Sequence, residues 1–455
     1  MRKTLKRTGV LYLLILLFIG GIAFFMYSLV TEGGEWAANR ANAHLYKNGT
    51  VSTAGSILDR NGVVLVESKD GKRVYNSSEK IRRSTLHVVG DTSGFISTGT
   101  QTLYRSRLSG YDFVDGIYSM LHGGKDASIT LNIDAEANKV AYDAFGDYNG
   151  AVIVYNYKTG EMLCSVSKPT YDVNNVPSNL RTAEKYEGVF LDKVISGLYT
   201  PGSTMKIVTA ISALQNIPDI EQQEWECDGE YEVKDGSIIC FGVHDTVDFE
   251  SALNNSCNCA FADITLQLGA SKLQQTANSL GFNKSLTSDK VRFAKSRISL
   301  KDDSKNELGW AGIGQSTTLV NPAHLATIVG AIANGGKGLV PARVKSYTTF
   351  FGPVSPIVNT GVTVDPAIAA RMKELMRSNV INRYGEKHFP NLEFCAKTGT
   401  AELDNAPSHS WLAGFSARED LPLVCVCIAE NGGFGSGPAT EITNTVMQYF
   451  LENYT

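Results

Sequence analysis

From Gly9 to Val30 the chain runs for 22 residues without a charge (GVLYLLILLFIGGIAFFMYSLV). At about 1.5 Å per helical residue that run reaches about 33 Å, enough to cross a hydrocarbon core. Arg2, Lys3, Lys6 and Arg7 precede it, and Glu32 and Glu35 follow. The positive-inside bias therefore predicts a cytoplasmic tail over residues 1–8, an anchor over 9–30 and everything later outside the membrane. A cleaved signal would carry a shorter apolar core, and the nearest A-x-A triplet, Ala41-Asn42-Ala43, sits too far downstream. No second run approaches this length, so a single pass is expected.

Residues 31–125 are polar and turn-rich. Within them, Gly49–Val66 reads as two short strands around Asp59-Arg60-Asn61-Gly62, where Asn-Gly suits the positive φ of a hairpin. Gly123-Gly124-Lys125 marks a boundary, after which Ala135–Phe145 has the spacing of a short helix. Ala151–Tyr155 and Glu161–Val166 are apolar strands joined by a tight turn. Met205, Val208, Ile211 and Leu214 recur at helical spacing over Thr204–Leu214, and Pro322–Ala333 repeats that pattern. Leu392–Lys397, Trp411–Ala417 and Leu421–Ala429 read as strands, and Thr440–Phe450 closes the chain as a helix. A strand pair, a long helical middle, three more strands and a last helix predict an α+β fold, with helices packed on an antiparallel sheet over residues 129–455.

Lys and Arg number 42 and Asp and Glu 46, for a net charge of −4. A nucleic-acid partner would require a basic surplus, so none is expected. Seven histidines, dispersed along the chain, suggest no metal cluster, and none of the eight cysteines forms a C-x-x-C pair. Cys227 and Cys240 flank a polar loop and are the best-placed disulfide pair. Cys425 and Cys427 share a strand face and read as core, and the other cysteines are expected to pack without chemistry.

There is no G-x-S-x-G elbow and no glycine-rich phosphate loop. Instead Ser203-Thr204-Met205-Lys206 follows Pro201-Gly202 at the start of a predicted helix. Three residues on is one turn along the same face, so the Lys206 amine can reach the Ser203 hydroxyl and take its proton. Alone, the same pattern describes a capping serine and a solvated lysine. Ser256-Cys257-Asn258 adds a hydroxyl and an amide projecting from one loop, although serine and asparagine also cap helices. Lys397-Thr398-Gly399-Thr400 ends a strand whose edge can pair with an extended peptide, where Lys397, Thr398 and Thr400 can bind a carboxylate. The backbone N–H groups of Ser203 and Thr400 would form an oxyanion hole. A second Lys-Thr-Gly, Lys158-Thr159-Gly160, lies in a hairpin turn and precedes the serine, so it is given no catalytic role.

These three elements, in this order and spacing, resemble the penicillin-binding proteins, and within them class B, the monofunctional D,D-transpeptidases. Gly150–Val154 through Lys168–Asp172 is similar to the first hairpin of their transpeptidase domain. Trp310–Ala326 resembles the stretch before the Lys-Thr-Gly strand, and Trp411–Phe415 the strand after it. Gly55–Gly62 resembles the start of the short pedestal, with Ala54 where arginine is usual and Gln101 where glutamate is usual. No second catalytic domain precedes residue 129, which argues against the bifunctional class.

The resemblance implies a penicillin-binding or serine β-lactamase-like domain (129–455), a small β-rich pedestal (31–128) and an anchor in a bacterial cell membrane. It implies that Ser203 attacks the D-Ala-D-Ala bond of a peptidoglycan stem peptide or its lipid-linked precursor, with a β-lactam as a covalent inhibitor. Lys206 would be the base, Ser256 would relay the proton and Asn258 would hold a substrate amide, while Lys397, Thr398 and Thr400 would hold the carboxylate and Gly399 would permit close approach of the peptide. No metal or organic cofactor is implied, and the implied partner is a polytopic glycan polymerase of the SEDS type. The same residues would serve a D,D-carboxypeptidase or endopeptidase. A β-lactamase, a β-lactam sensor and an inert cell-wall scaffold are the remaining readings.

Overall fold

The computed structural model describes residues 2–37, 46–47, 50–51, 54–70, 72–111, 127–349, 352–403 and 406–454. The Gly123–Lys125 boundary lies outside them.

Five strands form the central sheet in the order Phe394–Leu403, Ala406–Ser416, Leu423–Ala429, Gly150–Asn156, Met162–Lys168, every neighbour antiparallel. Alternate residues of one strand serve opposite faces, which explains why these strands read as near-continuous apolar runs: both faces are covered. Ala151, Ile153 and Tyr155 face the helix Pro322–Ala333 and share one core with the helices Lys206–Asn216 and Asn258–Ser279. Val152, Val154 and Cys164 meet the helices Ala135–Ala144 and Pro438–Asn453. Cys425 and Cys427 are buried in that second layer, as expected. The predicted α+β sandwich is the one observed.

Phe394–Leu403 is an edge strand, and it is longer than predicted. Lys397-Thr398-Gly399-Thr400 lies inside it rather than at its end. The apolar run stops at Ala396, so hydropathy alone terminates the strand too early, while main-chain pairing from Thr398↔Leu412 to Thr400↔Ser410 carries it on. Lys158-Thr159-Gly160 is the expected turn: Asn156 Oδ1 accepts from the N–H groups of Lys158 at 2.7 Å and Thr159 at 3.0 Å.

A second sheet has six strands, in the order Gly352–Val354, Val344–Thr349, Ser128–Leu131, Ser56–Leu58, Val64–Lys69, Lys72–Tyr75. Its Ser56–Leu58 and Val64–Lys69 strands are the predicted hairpin, closed by Gly62 at φ +84°. Its other strands come from both sides of position 128. Ala54 and Gln101, the two departures from the family pattern, meet at Arg73, which donates to the carbonyls of Ala54 at 2.9 Å and Gly55 at 2.7 Å and to Gln101 Oε1 at 3.1 Å. Arg82 joins this layer to the main domain through a bidentate, mostly buried pair with Asp172, at 2.7 and 2.8 Å.

The helix Arg2–Ala37 projects from this body, and Arg7–Leu29 within it is exposed, apolar and long enough to cross a membrane. Its base is tied down by Glu35, which accepts from Ser106 Oγ at 2.8 Å and Lys290 Nζ at 2.6 Å.

The helix Pro322–Ala333 is seated by Gly330, where an added Cβ would collide with the Tyr155 hydroxyl. In an exposed helix, glycine to alanine stabilises by about 1 kcal/mol. Here the sign reverses: Gly330→Ala is expected to destabilise by about 1–3 kcal/mol through overpacking, read as a lower thermal midpoint of the full chain. An unchanged or higher midpoint contradicts this packing.

Candidate active site

Gly202, at φ +53°, occupies a conformation that L side chains rarely adopt, and a Cβ there would strike the Thr400 carbonyl. Its N–H donates to the Gly314 carbonyl at 2.9 Å. Thus held, Gly202–Met205 forms one tight 3₁₀ turn that leads into the helix Lys206–Asn216. Ser203 and Lys206 stand one turn apart, with Lys206 Nζ 3.1 Å from Ser203 Oγ.

Ser256-Cys257-Asn258 joins the helices Phe249–Asn254 and Asn258–Ser279. Ser256 is left-handed at φ +55°, a conformation costing a non-glycine residue about 1 kcal/mol. Its N–H donates to Leu253 O at 3.1 Å, and that of Cys257 to Ala252 O at 2.9 Å. Cys257 caps the second helix, with Sγ accepting from Ala260 N at 3.4 Å. Asn258 Nδ2 donates to the Ile239 carbonyl at 2.8 Å, which fixes the amide so that Oδ1 faces Lys206 at 2.8 Å.

Lys206 Nζ therefore has four oxygen neighbours: Ser203 Oγ, Asn258 Oδ1, and Ser256 O and Oγ at 2.6 and 3.1 Å. An ammonium has three protons, so one serine hydroxyl is free to donate elsewhere or, once the lysine is neutral, into its lone pair. The amine is fully buried. Desolvation, reinforced by the charge of Lys397, brings its pKa down to about 7, against the opposing influence of the neighbouring cysteines.

Lys397 is also fully buried and likewise lowered to about 7, by desolvation and then by the charge of Arg383. Its Nζ donates to Ser256 Oγ at 3.0 Å, so Ser256 bridges both lysines. All five predicted catalytic side chains, Ser203, Lys206, Ser256, Asn258 and Lys397, thus form one network.

Above it opens a groove of about 450 Å³ lined by Ser203, Ser256, Thr398 and Thr400 among others. Lys397 sits behind Ser256 rather than on that wall. Gly399 is turned away as well: a Cβ there would come within 2.9 Å of Pro201 O and Thr204 Cγ2. The close approach that demands glycine is with the chain's own Pro201–Thr204 turn.

Tyr384, Arg383, Phe241 and Phe434 also line the groove and were not anticipated. The Tyr384 hydroxyl accepts from Thr398 N at 3.1 Å and lies 3.2 Å from Thr398 Oγ1. Phe241 and Phe434 are exposed and meet edge to face across its mouth, ring centroids 6.4 Å apart. Tyr384 belongs to a π-turn, Val380–Tyr384, a local distortion without a hydropathy signature.

Three expectations about the cysteines are corrected. All eight thiols are free, including Cys227 and Cys240. Those two sulfurs lie 3.4 and 3.5 Å from His244 Nδ1 instead of joining each other. Cys227, Cys240, His244 and Cys257 converge with their Sγ and ring-nitrogen atoms all within 4.8 Å, so a candidate metal cluster does exist beside the Ser256–Asn258 turn, and Cys257 caps a helix as well as packing. The ligands come from three separate elements, a convergence that no linear spacing reveals.

Comparison with known proteins agrees with this geometry. Residues 150–448 match the family model of the penicillin-binding protein transpeptidase domain. The peptidoglycan D,D-transpeptidase PbpA of Mycolicibacterium smegmatis is 27% identical over 424 residues, 85% of this chain and 84% of that protein. Among solved structures, the D,D-transpeptidase domain of an Eggerthella lenta peptidoglycan glycosyltransferase superposes with TM-score 0.74 at 26% identity, covering 88% of this chain and 98% of that one. Penicillin-binding protein A of Mycobacterium tuberculosis, solved as its penicillin G acyl-enzyme, shares the fold with TM-score 0.75 at 24% identity, covering 88% and 99%. Since the family model spans more than half of its length, the chain belongs to the penicillin-binding protein transpeptidase family and resembles its class B members.

Proposed function

We propose that this protein is a serine D,D-transpeptidase that cross-links peptidoglycan stem peptides through an acyl-enzyme on Ser203. The observation that carries this reading is the position of Lys206 Nζ, 3.1 Å from both Ser203 Oγ and Ser256 Oγ in a buried setting. Neutral Lys206 takes the Ser203 proton as Oγ bonds to the carbonyl between two D-alanines. The N–H groups of Ser203 and Thr400 receive the negative charge that develops on oxygen. The C–N bond then breaks, and Ser256 passes a proton from Lys206 to the departing D-alanine amine. An amine of a neighbouring stem peptide attacks the ester, gives up its proton along the same path and restores the Ser203 hydroxyl.

Thr398, Thr400 and Arg383 are the groove's polar groups for the terminal carboxylate, with Lys397 adding charge from behind through Ser256. Asn258 holds Lys206 in register. In a β-lactam the ring opening leaves the departing amine tethered, which keeps it close to the ester and blocks the acceptor. The anchor over 9–30 places residues 31–455 outside the membrane. Residues 31–128 act as the pedestal and 129–455 as the catalytic unit, the two sharing the six-stranded sheet. Anchor and pedestal together would dock a polytopic glycan polymerase.

Fluorescent penicillin is expected to label the full chain in detergent and to leave Ser203→Ala unlabelled; labelling that survives the substitution overturns the assignment. Lys206→Ala is expected to slow acylation by about 10²–10⁴-fold, the contribution typical of a positioned base.

The two lysines also set the pH dependence. Below about pH 7 Lys206 keeps its proton and cannot accept one from Ser203; above about pH 7 Lys397 loses its charge. The acylation rate is expected to follow a bell centred near pH 7, whose limbs belong to the coupled pair. Lys397→Ala should flatten the alkaline limb. A rate that climbs steadily to about pH 10, the ordinary lysine range, contradicts the assignment of both amines.

A further inference from the structure

Beneath the groove, Cys227 ends the strand Glu224–Cys227, Cys240 follows the strand Gly236–Ile239, His244 precedes the strand Asp245–Asp248, and Cys257 caps the helix Asn258–Ser279. Three thiols and an imidazole thereby meet from three directions. We propose that Cys227, Cys240, His244 and Cys257 bind one zinc ion, which ties the Cys240–His244 loop to the catalytic Ser256–Asn258 turn.

The spacing fits that ion. Zinc arms of about 2.3 Å to sulfur and about 2.0–2.1 Å to nitrogen give a tetrahedron a sulfur-to-nitrogen edge of about 3.6 Å. The two observed edges are 3.4 and 3.5 Å. Three sulfurs with one imidazole favour zinc over hard cations, and four protein ligands make a closed, structural site without a water position. Two sulfurs already accept backbone N–H groups, Cys240 Sγ from Asn258 N at 3.2 Å and Cys257 Sγ from Ala260 N at 3.4 Å. Such bonds favour thiolates and orient metal ligands.

A disulfide between Cys227 and Cys240 uses the same sulfurs differently. It leaves the His244 nitrogen, now facing both, without a role, and it leaves Cys257 outside the link. Cys259 lies beside these residues but is not one of the four whose ligand atoms converge. The zinc would act on the reaction only by position. Asn258, which orients Lys206, donates to one ligand sulfur, while Phe241 at the mouth of the groove lies between two ligands in sequence.

The test is metal analysis of the full chain, expressed with zinc and purified in detergent without chelator. About one zinc per chain is expected, with cobalt replacing it to give thiolate charge-transfer and tetrahedral ligand-field bands. Cys257→Ser keeps a good helix cap while removing a soft ligand, so it is expected to fold yet hold zinc at least about tenfold more weakly against a competing chelator. Cys227→Ser should behave alike, and Cys164→Ser, on the far face of the sheet, should retain the metal. Chelation should slow penicillin acylation, and added zinc should restore it. A chain free of zinc, zinc held equally by both ligand variants, cobalt without thiolate bands, or a Cys227–Cys240 disulfide in the purified protein would each overturn the proposal. Metal content and cobalt spectra are read without penicillin, so they remain informative even if Ser203 proves unreactive.

Discussion

The arrangement depends on keeping one lysine amine out of water. In solvent, Lys206 would hold its proton tightly and offer Ser203 no base. Full burial removes the hydration that favours the charged form, and the like charge of Lys397 disfavours it further, leaving an amine about half deprotonated at pH 7. Burial alone would leave a costly unpaired group. The four oxygens of Ser203, Ser256 and Asn258 satisfy it whether it is charged or neutral.

Much of the fold follows from holding those oxygens in place. The edge strand and the Gly202–Met205 turn approach so closely that Gly202 and Gly399 have no room for a side chain. The two-helix junction at Ser256 accepts a left-handed residue so that its hydroxyl reaches both lysines. Strain of this kind persists where surrounding packing over-determines it, here by the helix caps on either side.

The core and the convergence of Ser203, Lys206, Ser256, Asn258 and Lys397 were legible from residues alone because they obey local rules. The apolar periods of 2 and 3.6 locate the five strands and the helices Ala135–Ala144, Lys206–Asn216, Pro322–Ala333 and Pro438–Asn453, but not the helices Asn258–Ser279 and Pro366–Asn379. Ser203 and Lys206 follow helical geometry, and Ser256 and Asn258 occupy a loop between helices. What was not legible depends on long-range convergence. Tyr384 reaches Thr398 from an irregular turn, and Gly399 answers to Pro201 rather than to a ligand. The cysteines illustrate this best, since Cys227 and Cys257 are 30 residues apart in sequence yet their sulfurs meet at His244. The edge strand outruns its apolar pattern because polar residues continue the ladder beyond Ala396.

The most direct measurement is an NMR titration of the full chain carrying lysine isotopically labelled at its ε-carbon, with Lys206 assigned by its loss in Lys206→Ala. A Lys206 resonance that shifts with a midpoint near pH 7 is the predicted result. A midpoint near the ordinary lysine value of about 10.4 would mean that the amine is charged at neutral pH, and the base in this account would be gone.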